Sequence, residues 1–210
     1  MTAGSRGVHI VLVDANVLAS ITLRDWLLLL RLETQASMFD VKWTEEILDE
    51  TLDALERRKP GITKESLARY RERIVLSLQD GEVVGYEVPG TYNGPDPKDA
   101  HVHSAAELCG ADILLTNDKG FRPPVVEDEL PYEVYTADEF FVLVDDSLPA
   151  AVRAVTLHQI KYFWETRGSV ELCQRLEAAK APHFAERVRA HIQDLRPHIE
   201  AFAPSKSRQG

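Results

Sequence analysis

The chain has 210 residues, 44 % of them hydrophobic, which is enough for one well-filled core and a small second unit. Its 24 basic residues stand against 34 acidic ones, and the net charge of -10 excludes a surface that attracts phosphate everywhere. Two cysteines without CxxC spacing, Cys109 and Cys173, exclude a disulfide framework or a zinc finger, and the longest apolar run, Trp26 to Leu30, is far too short to span a bilayer.

Met1 to Arg6 lacks the pattern of a signal peptide, so a cytoplasmic protein is expected. Val8 to Val13 (VHIVLV) is continuously apolar and β-branched, as in a strand buried on both faces of a parallel sheet, and Asp14 ends it. A helix is expected through Leu18 to Leu32, then a short strand around Phe39 to Trp43. Thr44 is placed to cap a helix opening at Glu45, with two acids in its first turn, and Pro60-Gly61 ends that helix. Thr63 caps the next, which runs to about Leu78 and forms a hairpin with its predecessor. Residues 81 to 98 read as a weak strand (GEVVGYEV) followed by turn formers at Gly90, Asn93, Gly94, Pro95 and Pro97. A helix from near Asp99 to Gly110, a strand Ile113 to Thr116, a loop Asn117 to Pro124 and a strand Tyr132 to Tyr135 follow. Thr136 to Glu139 has capping-box spacing and opens another helix. Beyond about Pro149 the pattern is wholly helical, punctuated by Gly168-Ser169 and Pro182. The alternation of strands and helices implies an α/β domain with a mainly parallel sheet over 1–148, then a small all-helical region over 149–204 and a flexible tail over 205–210.

Charge is divided by region. Residues 1–150 carry 14 basic and 28 acidic side chains, whereas 151–210 carry 10 basic and 6 acidic. Within the acidic part, the stretch from Arg57 to Arg73 holds seven basic residues against Glu65 and Glu72. Arg69, Arg71 and Arg73 in that stretch are the candidates for nucleic-acid phosphate contacts, the alternative being a solvated helix face.

Ligands of open parallel sheets sit at the carboxyl ends of the strands. Asp14 and Asp118 follow strands, Asp99 opens a helix, and Glu50 lies one to two turns into the helix after the second strand, so four acids can meet at one sheet edge. Each ionised carboxylate disfavours ionisation of its neighbours, and a hard divalent cation relieves that repulsion. Magnesium or manganese, one or two ions, fits carboxylate oxygens and activates water for hydrolysis near neutral pH. Taken singly, Asp14 and Asp118 also suit turns and Asp99 a helix N-cap. His101 and His103, two apart on a helix, read as packing or surface residues, Trp26, Trp43 and Trp164 as core aromatics, and Lys119 as solvated.

The segments DANVLA (14–19), WTEEILDE (43–50), DPKDAHVHSAA (96–106) and ADILLTNDKGF (111–121) together resemble the four ordered motifs of PIN-domain ribonucleases, a group that includes VapC-type toxins. The resemblance implies a PIN-like three-layer α/β sandwich. It implies that Asp14, Glu50, Asp99 and Asp118 are the catalytic acids, with Asp14, Asp99, Asp118 and the auxiliary Asp96 on the metal. Asn16 and Thr116 correspond to small polar residues beside it. In the second motif Glu46 stands in reserve for Glu50. The helical extension is similar to a region of one VapC subgroup, which implies a toxin role, a homodimer and a cognate antitoxin. Alternatives are a PIN-fold binding module without catalysis, a DNA nuclease, and a phosphatase using Asp14 as nucleophile, although Asn16 stands where such an enzyme needs a second aspartate.

Overall fold

A computed structural model describes residues 7–88, 92, 96–121, 130–167 and 171–202. The expected turn formers Gly90, Asn93, Gly94 and Pro95, the breaker Gly168-Ser169 and the tail 205–210 lie outside the described residues. Two compact units are defined, Met1–Ala137 and Asp138–Gly210.

The first unit is built on four parallel strands in the order β2-β1-β3-β4, namely β1 His9–Val13, β2 Phe39–Lys42, β3 Ile113–Leu115 and β4 Glu133–Tyr135. Val11 pairs with Val41 on one side and with Ile113 on the other. Val11, Leu12 and Val13 are all 0 % exposed, so both faces of β1 are covered, as its unbroken apolar run requires.

The helix expected through Leu18 to Leu32 is α2 Ile21–Glu33, preceded by a separate short helix α1 Ala15–Leu18. The break falls at Ser20, which has extended backbone and turns its hydroxyl to the Leu23 N–H, so a residue inside the apolar pattern acts as a cap. Helix α3, Glu45–Arg58, is capped by Thr44, whose Oγ1 accepts from the Ile47 N–H at 3.1 Å; α4, Lys64–Ser77, is capped in the same way by Thr63. The weak strand expected at 81–88 reduces to one parallel bridge between Glu82 and Trp43. Gly81 passes so near β2 that a Cβ there would lie 2.4 Å from the Val41 carbonyl, and Gly85, at φ +85°, turns the chain away. The Trp43 indole is buried and donates to the Leu78 carbonyl at 3.1 Å. A 3-10 turn, Pro97–Asp99, leads into α5, Ala100–Cys109, which ends at the left-handed Gly110.

The second unit comprises all but the first residue of α6 Ala137–Ser147, with α7 Pro149–Arg167, α8 Leu172–Ala178 and α9 Pro182–Phe202. Helix α6, read from sequence as the end of the α/β domain, is thus grouped with the three helices that follow it. Its buried Asp138 accepts from the Phe184 N–H at 2.8 Å and from His183 Nδ1 at 2.7 Å, closing the first turn of α9. One turn pair further on, buried Asp145 meets His191 Nε2 at 2.6 Å, and Phe141 packs on Phe184 with ring centroids 5.1 Å apart. Among the described residues no helix is long and apolar enough to cross a membrane.

Candidate active site

Asp14 leaves β1 with extended backbone (φ -82°, ψ 156°) and opens α1, its Oδ1 accepting from the Ala15 N–H at 2.5 Å. Its Oδ2 accepts from the Thr116 hydroxyl at 2.6 Å and from the Asn16 amide. Thr116 Oγ1 in turn accepts from Asn16 Nδ2 and from the Asp118 N–H, both at 2.9 Å, so its one proton is directed at Asp14. Asn16 Oδ1 accepts from the Asn117 N–H at 3.0 Å. The ends of β1 and β3, neighbours in the sheet, are therefore stitched by side chains as well as by their ladder. Asp118 then folds back so that Oδ1 accepts from the Gly120 N–H at 2.8 Å. Asp99 stands at the N-cap position of α5 but does not cap it; its Oδ2 accepts from Tyr92 at 3.3 Å. Gly120 lies between the two acids, since a Cβ there would be 3.1 Å from Asp99 Oδ2 and 3.4 Å from Asp118 Oδ1.

The charges are arranged to repel. Burial pushes the Asp14 carboxyl up to about 6 against the hydrogen bonds from Thr116 and Ala15, and the negative charges of Glu50 and Asp118 add to the rise. Asp99 is likewise raised to about 6, first by burial and then by Asp118, Asp96 and Asp14. Among the described residues no lysine or arginine pairs with Asp14, Asp96, Asp99 or Asp118. The nearby partner is His101, whose Nε2 is 3.2 Å from Glu50 Oε1; that bond and the charges of Glu50, Asp14 and Glu46 hold its pKa up against burial. The donor set, all hard oxygen with a space that a single Cβ would fill, fits a magnesium-type cation. Among the described residues no three of these side chains are drawn together tightly enough to form a closed coordination group.

A family model described as PIN domain matches residues 10–120, more than half of the chain. The chain belongs to the PIN-domain family. PIN domains are generally nucleases, and PIN nucleases act on RNA and generally use divalent metal ions. No curated protein and no solved structure matches the chain. Every acid singled out from the sequence falls inside the matched span, which ends before the helical unit begins.

In this PIN domain Asp14, Asn16, Thr116 and Asp118 form one hydrogen-bonded group, and Asp99 joins it across Gly120. Asp96 acts on Asp99 by charge and spends one oxygen on the Lys98 N–H at 2.9 Å, capping the 3-10 turn. Glu50 is exposed but turned to the site through His101, whereas Glu46 is held by the Tyr86 hydroxyl. His101 and His103 do part to different sides of α5. His103 is buried against Tyr132 at 2.7 Å, and His101, its side chain also largely buried, reaches Glu50 beside the acids, a contact which the sequence reading missed although His101 is two residues from Asp99. Tyr92 and Tyr86 were also missed; they lie in turn-rich sequence with no pattern to mark them. Arg69 and Arg73 are exposed on α4, while Arg71 is engaged by both oxygens of Glu45.

Proposed function

We propose that the chain is a magnesium- or manganese-dependent endoribonuclease that hydrolyses RNA phosphodiester bonds. The observation that carries this reading is the gathering of Asp14, Asp99 and Asp118 near the ends of β1 and β3, with two of these carboxyls raised to about 6 and, among the described residues, no lysine or arginine paired with them. Asp14, Asp99 and Asp118, with Asp96 in support, hold one or two ions. When bound, such a cation polarises the phosphate and lowers the pKa of a water. Thr116 and Asn16 fix the rotamer of Asp14 by filling Oδ2, which leaves Oδ1, bonded among the described residues to the Ala15 N–H alone, to meet a cation without reorganisation. Glu50, steadied by His101, orients water from the α3 side and takes up its proton. No side-chain nucleophile is needed, because a bound cation would supply an activated water.

The reading extends to a toxin of a toxin–antitoxin pair, acting in the cytoplasm as a homodimer restrained by a cognate antitoxin protein. The order of the four motifs and the helical unit after them support this extension. Incubating purified chain with single-stranded RNA, with and without magnesium, tests the activity: metal-dependent internal cleavage is expected, and intact RNA at all magnesium and manganese concentrations overturns the reading. Sedimentation of the chain and of its complex with a co-expressed neighbouring gene product tests the partners.

A further inference from the structure

An acidic site must hold a polyanion beside it, and the PIN domain carries a group of cations suited to that task. Two arginines from two helices meet at the end of α1, the one-turn helix that Asp14 opens, and a third, Arg73 on α4, acts on one of them by charge. Arg24 of α2 directs Nη1 at the Leu18 carbonyl (3.5 Å), and Arg58 of α3 donates from Nη1 to the Ala19 carbonyl (3.2 Å). These are the carbonyls of adjacent residues. Arg24 also lies over the Tyr70 ring of α4, 4.4 Å from its centroid, and Arg73 is one turn along from Tyr70, where its charge acts on Arg24.

The group is under-neutralised. Asp25 pairs with Arg24 at 3.1 Å, but among the described residues neither Arg58 nor Arg73 makes an ion pair, and both are exposed. Arg71, by contrast, is neutralised by Glu45. Carbonyls at the end of so short a helix offset part of the charge, yet a guanidinium has five donors and Arg58 uses one of them here. The planar fork of the free donors matches two phosphate oxygens. One turn of helix separates the group from Asp14, roughly 6–8 Å, which is of the order of the distance between neighbouring phosphates on a strand.

We propose that Arg24, Arg58 and Arg73 form a phosphate-binding subsite for the RNA backbone, one nucleotide step from the carboxylate site. It rests on the ribonuclease reading of that site. Arg24, packed on Tyr70, sets the position of the charge, while Arg58 and Arg73 contact the phosphate from solvent.

The test measures binding of a single-stranded RNA oligonucleotide to the full chain carrying Asp14→Asn, in magnesium, over a range of salt. Adding Arg58→Gln and Arg73→Gln together is expected to reduce the slope of log affinity against log salt by about 1.4, at about 0.7 per lost contact on a single strand. Arg58→Lys with Arg73→Lys should keep the slope, and Arg71→Gln should leave it unchanged; melting curves check that each variant folds. An unchanged slope in the double Gln variant, or no RNA binding by the Asp14→Asn chain, overturns the subsite. If instead the Asp14→Asn chain still cleaves the RNA, the catalytic reading fails, and the same salt titration in chelator still decides the subsite.

Discussion

Asp14 couples activity to stability in a way that gives a sign. Its carboxyl is near 3.8 when unfolded and about 6 when folded, so between roughly pH 4 and 6 the folded chain holds a proton that the unfolded chain has released. Stability of the metal-free protein is therefore expected to fall as pH rises through that window, with a slope of up to about 1.4 kcal/mol per pH unit for a single group. Melting curves in chelator from pH 4 to 7 check this: the fall should be smaller in Asp14→Asn, and magnesium should raise the melting temperature most at pH 7. A fall of equal size in both proteins would count against a strained Asp14. The same substitution should abolish metal-dependent RNA cleavage with the fold retained, and Asp99→Asn and Asp118→Asn should behave alike. Asp128→Asn, outside the described residues, should cleave normally. These three acids were legible because each is tied to a strand end or helix start that apolar runs already mark. His101 was not, because its partner Glu50 is 51 positions away and on another helix.

At the scale of elements, the caps carry both stability and geometry. Thr44 is fully buried and satisfies the Ile47 N–H at the head of the helix bearing Glu50, so Thr44→Ala is expected to cost about 1 kcal/mol or somewhat more in urea unfolding. An unchanged midpoint would show that the α3 cap is dispensable. A second 3-10 turn, Lys119–Phe121 after β3, gives a sharper test. Gly120→Ala introduces a methyl 3.1 Å from Asp99 Oδ2 and 3.4 Å from Asp118 Oδ1, and Gly120 has no positive φ that forbids a side chain. Magnesium affinity by calorimetric titration should drop several-fold while the melting temperature changes little; unaltered affinity would place the ion elsewhere. Strand β1 and the Thr44 and Thr63 caps could be read directly, since an apolar run and a hydroxyl before acidic residues are local signals. The break at Ser20 and the single bridge at Glu82 could not, because both depend on which backbone the segment meets.

Across the whole molecule, the chain divides into two units, each with its own buried side chains. In the helical unit, Asp138 takes the N–H groups that open α9, so Asp138→Ala is expected to speed hydrogen exchange within Pro182–Phe202 and leave exchange in His9–Val13 unchanged. Equal acceleration in both segments would mean that the units unfold as one. What the chain order could not reveal is how far apart in sequence the partners of the site stand. The Thr116 hydroxyl that orients Asp14 comes from 102 residues downstream, across a parallel pairing that needs a long crossover to close. Contacts of such separation form late in folding and, on a ribosome, only after the second partner has emerged. A nascent chain arrested before Ile113 holds Asp14, Glu50 and Asp99 but neither β3 nor Asp118. Synthesis order alone thus leaves the unfinished polypeptide without a complete carboxylate site until β3 and Asp118 have emerged.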